Sequence, residues 1–113
     1  SEHSAKEGVI RDFLDREIPA DWEKRTLIER KMYWSGGFDN DKEKTKLKRR
    51  ERVCAVEIWC EVFGGEIRYF RRSDAAEINA ILARIPGWER CQKTMRVGCA
   101  YGVQKGFIRC NLL

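Results

Sequence analysis

The sequence predicts an α+β chain that is mainly helical. Two observations predict it. As far as Ile85, apolar residues recur at three- and four-residue intervals, the period of a helix with one buried face. Beyond Pro86-Gly87 the pattern shortens to two compact runs, Trp88–Cys91 and Gly106–Cys110, which read as strands. The chain has 113 residues, 42% of them hydrophobic, with Trp at 22, 34, 59 and 88. That is enough for one compact core and not for two.

The elements follow in order. Ser4-Ala5-Lys6-Glu7 reads as a capping box, in which the Ser4 hydroxyl accepts from the Glu7 amide and Glu7 reaches back. Val9, Ile10, Phe13 and Leu14 form the apolar face behind it, and Pro19 lies too close for that helix to continue. Thr26-Leu27-Ile28-Glu29 is a second capping box, opening a short helix through Leu27, Ile28, Met32, Tyr33 and Trp34 that Ser35-Gly36-Gly37 ends. Residues 1–37 are expected to be an N-terminal helical arm. Residues 38–50, rich in Lys and Arg and poor in large apolar side chains, are expected to be an exposed charged connector.

The main module is expected at 51–113. Val53, Val56, Trp59, Cys60 and Phe63 mark one helix face, closed by Gly64-Gly65; Glu66–Arg72 is a bridge. Asp74-Ala75-Ala76-Glu77 looks like the next helix start, with carboxylates at its positive end, and Ala75, Ile78, Ile81, Leu82 and Ile85 give its core face. The two strands then enclose a loop, Lys93–Lys105, that contains Gly and Lys. Two helices followed by a two-stranded ribbon with a basic tip outline a winged helix-turn-helix module with a C-terminal β-hairpin.

Composition narrows the function. Charged residues make up 36% of the chain and the formal net charge is +5. Ser1–Asp41 holds seven Lys/Arg against ten Asp/Glu (net −3), whereas Lys42–Leu113 holds 16 against 8 (net +8). A basic segment behind an acidic one is the asymmetry of a phosphate-binding half. No apolar run approaches the roughly 20 residues that span a bilayer, and no basic-then-apolar leader opens the sequence, so the expectation is a cytoplasmic protein without a membrane partner.

Catalysis finds little support. No GxxxxGK[ST] or GxGxxG motif occurs, and neither Gly36-Gly37 nor Gly64-Gly65 precedes the Lys-Ser/Thr that would meet a nucleotide's phosphates. His3 is the one histidine, and nothing near it fixes a tautomer. The carboxylate pairs Asp74/Glu77 and Glu57/Glu61 read as capping or solvated-face residues. Cys91 and Cys99 have no base nearby in sequence. The five cysteines form no CxxC pair, so they are expected to be free thiols, with no metal and no cofactor.

The basic residues are the better candidates. Arg71 and Arg72 precede the second helix of the module, and Arg90, Lys93, Arg96, Lys105 and Arg109 lie on or beside the hairpin. In a winged helix these positions meet phosphates, and affinity comes from counterion release irrespective of sequence. Asn79 and Arg84, off the core face, either meet base edges or, for Asn79, form part of a solvated surface. Asp74 and Glu77 weigh against strong phosphate contact at the helix start. The run Lys42–Arg52, with seven basic and two acidic residues, either tracks a nucleic-acid backbone or is a solvated loop.

Several stretches in order also resemble a known family. Arg52-Val53-Cys54-Ala55-Val56-Glu57-Ile58-Trp59-Cys60-Glu61, Arg71-Arg72-Ser73-Asp74-Ala75-Ala76-Glu77-Ile78-Asn79, Pro86-Gly87-Trp88-Glu89-Arg90-Cys91 and Tyr101-Gly102-Val103-Gln104-Lys105-Gly106-Phe107-Ile108-Arg109 are similar to the C-terminal end of the virulence-associated protein E family. Glu7-Gly8-Val9-Ile10, Phe13-Leu14, Pro19 and Trp22 resemble the segment that follows the ATPase core of those proteins. The members are phage- or mobile-element-borne proteins resembling primase-helicases, with a P-loop ATPase region upstream. The resemblance implies a C-terminal accessory domain in DNA replication, separated from its motor and therefore no enzyme itself. It implies nucleic acid, DNA rather than RNA, and the parent's ATPase region as partners; it assigns no binding residue. The rival expectation is a docking or oligomerisation module, in which the apolar face of the N-terminal arm meets the ATPase core or a second copy.

Overall fold

A computed structural model describes residues 2–37 and 46–110. The elements run α1 (Glu2–Asp15), β1 (Ile18–Pro19), a 3₁₀ turn (Trp22–Lys24), α2 (Leu27–Trp34), β2 (Leu47–Lys48), β3 (Arg52–Val53), α3 (Ala55–Glu61), a 3₁₀ turn (Ile67–Tyr69), α4 (Arg72–Arg84), β4 (Trp88–Arg90), β5 (Met95–Arg96), β6 (Val103–Gln104) and β7 (Phe107–Arg109). The fold is α+β, with four helices among the described residues and small antiparallel sheets: β1 with β2, β5 with β6, and a three-stranded sheet in the order β3-β7-β4.

Local chemistry explains most boundaries. At α2 the capping box forms as the residues predict: the Glu29 amide donates to Thr26 Oγ1 at 3.2 Å and the Thr26 amide to Glu29 Oε1 at 3.0 Å. Its exit is a Schellman turn, with Gly36 at φ +79°, Gly37 N–H donating to the Met32 carbonyl and Gly36 N–H to that of Tyr33. Helix α1 begins at Glu2, so Ser4 lies inside its first turn and not at its cap; Glu2 supplies the negative charge that the helix start favours. Helix α4 begins at Arg72, two residues before Asp74, because the Asp74 carboxylate accepts from the Arg71 amide at 3.0 Å and so caps from the third helical position.

Helix α3 is shorter than its apolar period suggests. Val53 pairs with Phe107 in the sheet, the Cys54 amide donates to Glu57 Oε1 at 3.4 Å at the helix entrance, and Phe63 falls past the end, 41% exposed. Gly65 shapes that end: a Cβ there would stand 2.2 Å from the Trp59 ring, whose indole N–H donates to the Glu66 carbonyl. The strands Trp88–Arg90 and Phe107–Arg109 do pair, with Glu89 opposite Ile108. The intervening stretch is more structured than a loop, since β5 and β6 make a second hairpin, and β3 adds a third strand to the ribbon.

Of the expected connector, residues 38–45 lie outside the described residues. Leu47–Lys48 pairs with Ile18–Pro19, and Arg50 is buried. Of the α1 face expected to dock, Ile10, Phe13 and Leu14 are buried in one core with Ile58 and Ile81, and of the four apolar residues only Val9 is exposed. A second core cluster, Cys54, Val56, Cys60, Val97 and Tyr101, joins α3 to the β5–β6 hairpin.

Between the clusters lies a buried ionic network. Arg30 on α2 is fully buried; its Nη1 donates to Glu57 Oε2 at 3.1 Å and Glu61 Oε2 at 3.2 Å, and its Nη2 to the Trp22 carbonyl at 3.1 Å. Arg50 Nη1 donates to the same Glu57 oxygen at 2.7 Å. Glu61 further accepts from Tyr101 Oη at 2.6 Å and Trp34 Nε1 at 2.8 Å. The guanidiniums stack as well, Arg30 over Trp22 and Arg50 over Phe13. Gly98 gives the network room, its Cα close enough that a Cβ would stand 3.1 Å from Arg30 Nη2. The carboxylates Glu57 and Glu61, expected to be capping or solvated-face residues, are interior ion-pair partners, because α2 and the 46–50 segment cover that side of α3; Glu57 also caps α3 through the Cys54 amide.

Removing one partner of a buried pair typically costs about 3–5 kcal/mol. Arg30→Met is expected to destabilise the fold by about that amount in urea denaturation. Burial and the neighbouring Glu61 already push the Glu57 carboxyl above its ordinary value of 4.5, against the pull of Arg50 and Arg30. Without Arg30 it rises further, so the native state holds protons that the unfolded chain releases. The Arg30→Met penalty should accordingly be larger at pH 8 than at pH 5. A penalty independent of pH would contradict the network.

Candidate nucleic-acid interface

Helix α4 places the residues that sequence reasoning singled out. Its Ile78, Ile81 and Leu82 are buried, which turns Arg72, Ala76, Ala80 and Ala83 outward. An open groove runs along this outer side, lined by Arg72, Ala75, Ala76, Asn79, Ala80 and Ala83 of α4 and by Arg90 of β4. Three predicted residues thus come together: Arg72 at the start, half-buried Asn79 in the middle and Arg90 on the flanking strand. The floor between them is alanine, so the helix backbone is shielded by little more than methyl groups. Arg71 is exposed at the N-cap of α4, beside Arg72.

The hairpin residues are distributed differently. Lys93, Arg96 and Lys105 are exposed on the stretch from Cys91 to Gly106 that carries β5 and β6. The Arg96 carbonyl accepts from Arg52 Nη1 at 3.0 Å, which ties this stretch to β3. Arg90 lies beside the Phe107 ring, 5.8 Å from its centroid.

Two predicted contacts are engaged within the protein. Arg84 Nε donates to Glu7 Oε1 of α1 at 3.3 Å, so its guanidinium leans toward the N-terminal helix and away from the groove. Arg109 Nε donates to the Arg50 carbonyl at 2.7 Å and Nη2 to the Leu14 carbonyl at 2.9 Å, while the guanidinium stacks on Trp88. It is a cross-brace between β7, the end of α1 and the chain entering β3. Alternation along a strand could have signalled this: Arg109 shares the inward side of β7 with Phe107.

The carboxylates that weighed against phosphate contact are also occupied. Asp74 caps Arg71, and Glu77 pairs with Lys6 at 3.1 Å. Sequence reasoning passed over Arg49 and Arg52 as individual contacts; both are exposed, on the segment leading into β3. Their signal was the basic run itself, whose folded part the sequence did not distinguish from a loop.

No group of three or more His, Cys, Asp or Glu among the described residues could hold a metal ion. No helix among them is long and apolar enough to cross a membrane. The cysteines are free. Burial and the nearby Glu57 drive the Cys54 thiol far above its ordinary range, and burial raises Cys60. Cys99 is exposed, its Sγ donating to the Arg25 carbonyl at 3.2 Å.

Two measurements follow from these placements. With a thiol reagent at pH 8, Cys99 should react first, and Cys54 and Cys60 only on unfolding; early modification of Cys54 would refute its burial. Arg109→Ala should lower the unfolding free energy by about 1–3 kcal/mol through its lost carbonyl contacts, whereas Arg96→Ala, whose side chain is exposed, should change it by less than about 0.5 kcal/mol.

No protein-family model and no curated protein sequence matches this chain.

Proposed function

We propose that this chain is a non-catalytic winged-helix module that binds nucleic acid, DNA in preference to RNA, mainly through phosphates. The observation that carries the reading is the α4 groove, which unites Arg72, Asn79 and Arg90 over an alanine floor. A helix enters a major groove most deeply when its facing side chains are short, and alanine methyls can contact thymine methyls while an asparagine pairs with an adenine edge. Arg72 and Arg90 bracket this stretch as phosphate contacts would.

Topology supports the same reading. The order β3-α3-α4-β4-hairpin-β7, with β7 between β3 and β4, is compatible with a winged helix in which α4 would be the reader and the hairpin the wing. Lys93, Arg96 and Lys105 then belong to the wing, and Arg71 to the start of the reading helix. Arg84 and Arg109 do not line the α4 groove. The resemblance to the C-terminal end of virulence-associated protein E places such a module beside a replicative ATPase in phage or mobile-element DNA replication, and gives that ATPase region as the covalent or docking partner. Burial of Ile10, Phe13 and Leu14 in the core favours this reading over self-association through the α1 face.

Isolated, the domain should bind a labelled duplex at about 10⁻⁴–10⁻⁶ M, with affinity falling steeply as salt rises. Arg72→Ala and Arg90→Ala should each weaken binding and each reduce the slope of log K against log salt by about 0.9. Wild-type affinity and slope in the Arg72→Ala/Arg90→Ala double variant would remove the groove from the interface.

A further inference from the structure

A second basic cleft lies on another part of the molecule. It holds about 260 Å³ and is lined by Arg49, Glu51, Arg52, Ile108 and Arg109. Three guanidiniums face one carboxylate. A contiguous cleft shares Arg49, Glu51 and Arg52 and adds Lys48 and Glu23, which pair with each other. Among the described residues no carboxylate pairs with Arg49, Arg52 or Arg109.

Two of the guanidiniums are held in place by the protein's own carbonyls. Arg52 is anchored to the Arg96 carbonyl, and Arg109 to those of Arg50 and Leu14. A carbonyl anchor fixes a guanidinium without neutralising it, so the charge remains for an external anion. Burial first, then the charges of Arg49 and Arg50, hold the Arg109 pKa below its ordinary value, with Asp15 acting in the opposite sense. Glu51, lining the same cleft, disfavours an anion and leaves the set net positive.

We propose that this cleft binds a phosphate group, taken from the backbone of the same nucleic acid that the α4 groove engages; the backbone assignment rests on that reading. Arg52 joins the cleft to the second hairpin, since its anchor is the carbonyl of Arg96. Fork-shaped guanidinium donors in fixed positions match the paired oxygens of a phosphodiester.

The test follows the arginine Nε–H signals by NMR while inorganic phosphate, and separately a short DNA duplex, is added to the whole domain. The Arg52 and Arg109 signals should shift saturably with phosphate and at lower concentration with duplex. Arg49→Ala and Arg52→Ala, both exposed positions with native circular dichroism expected, should each weaken phosphate binding about tenfold, the effect of losing one charge-assisted contact. Absence of a shift with either titrant, or shifts of unchanged affinity in Arg49→Ala, would overturn the site. Shifts with phosphate but none with duplex would overturn the backbone assignment and leave a free-phosphate site. The groove reading is judged separately: loss of duplex affinity in the Arg72→Ala/Arg90→Ala variant with no response at Arg52 and Arg109 would retain the groove and discard this cleft.

Discussion

Four charged side chains beyond the reach of water hold distant parts of this chain in one arrangement. Arg30 comes from α2, Arg50 from the segment before β3, and Glu57 and Glu61 from α3; Tyr101 closes the set from the second hairpin. Such a network is a weak source of net stability, because desolvating the charges costs about as much as their attraction returns. Its strength lies in discrimination. Any packing that separates α2 from α3 strands Arg30 and removes one partner each from Glu57 and Glu61. The N-terminal helices are thereby fixed against the α3–α4 pair, and the apolar face of α1 completes the same core. Trp22 lies against the Arg30 guanidinium and Phe13 against that of Arg50, and Trp34 packs against both rings, which closes the site to solvent.

That constraint decides what the surface can offer. With one face of α1 and Arg30 of α2 committed to the interior, the outward side of α4 and the second hairpin remain at the surface. Charge is sorted accordingly. The acidic groups near α4 are each matched, Asp74 to a backbone amide and Glu77 to Lys6, while Arg72 and Arg90 border an alanine floor. The arginines therefore differ in kind. Arg30 and Arg50 are interior ion-pair partners, Arg109 is a brace to carbonyls, Arg84 leans on Glu7, and Arg72, Arg90 and Arg96 face solvent. The net charge of the basic two-thirds says nothing of this partition; only the folded positions do.

The sequence was most legible where local chemistry acts alone. The Thr26/Glu29 box, the glycine exit after Trp34, and the switch from helix to strand after Pro86-Gly87 all rest on neighbours within a few residues. It was less legible where distant segments decide. Val53 fits the helical period of α3, yet pairing with Phe107 claims it for a strand. Glu57 and Glu61 look like capping or surface carboxylates four residues apart until Arg30, 27 and 31 residues away, is placed against them. Ser4 has the form of a cap, but the helix runs back to Glu2 past it. For the site, Arg72, Asn79 and Arg90 were visible as exposed polar positions of a helix and a strand. The engagement of Arg84 and Arg109 was not, because both depend on contacts with α1, 77 and 95 residues away.

The measurement that bears most directly on this account is the map of backbone amide shifts when a short duplex is added at low salt. If α4 reads nucleic acid with the second hairpin beside it, the largest shifts fall within Arg72–Ala83 and residues 91–106, with the outer surface of α1 silent. Shifts confined to α1 and α2, or none at all at duplex concentrations above the millimolar range, would contradict it.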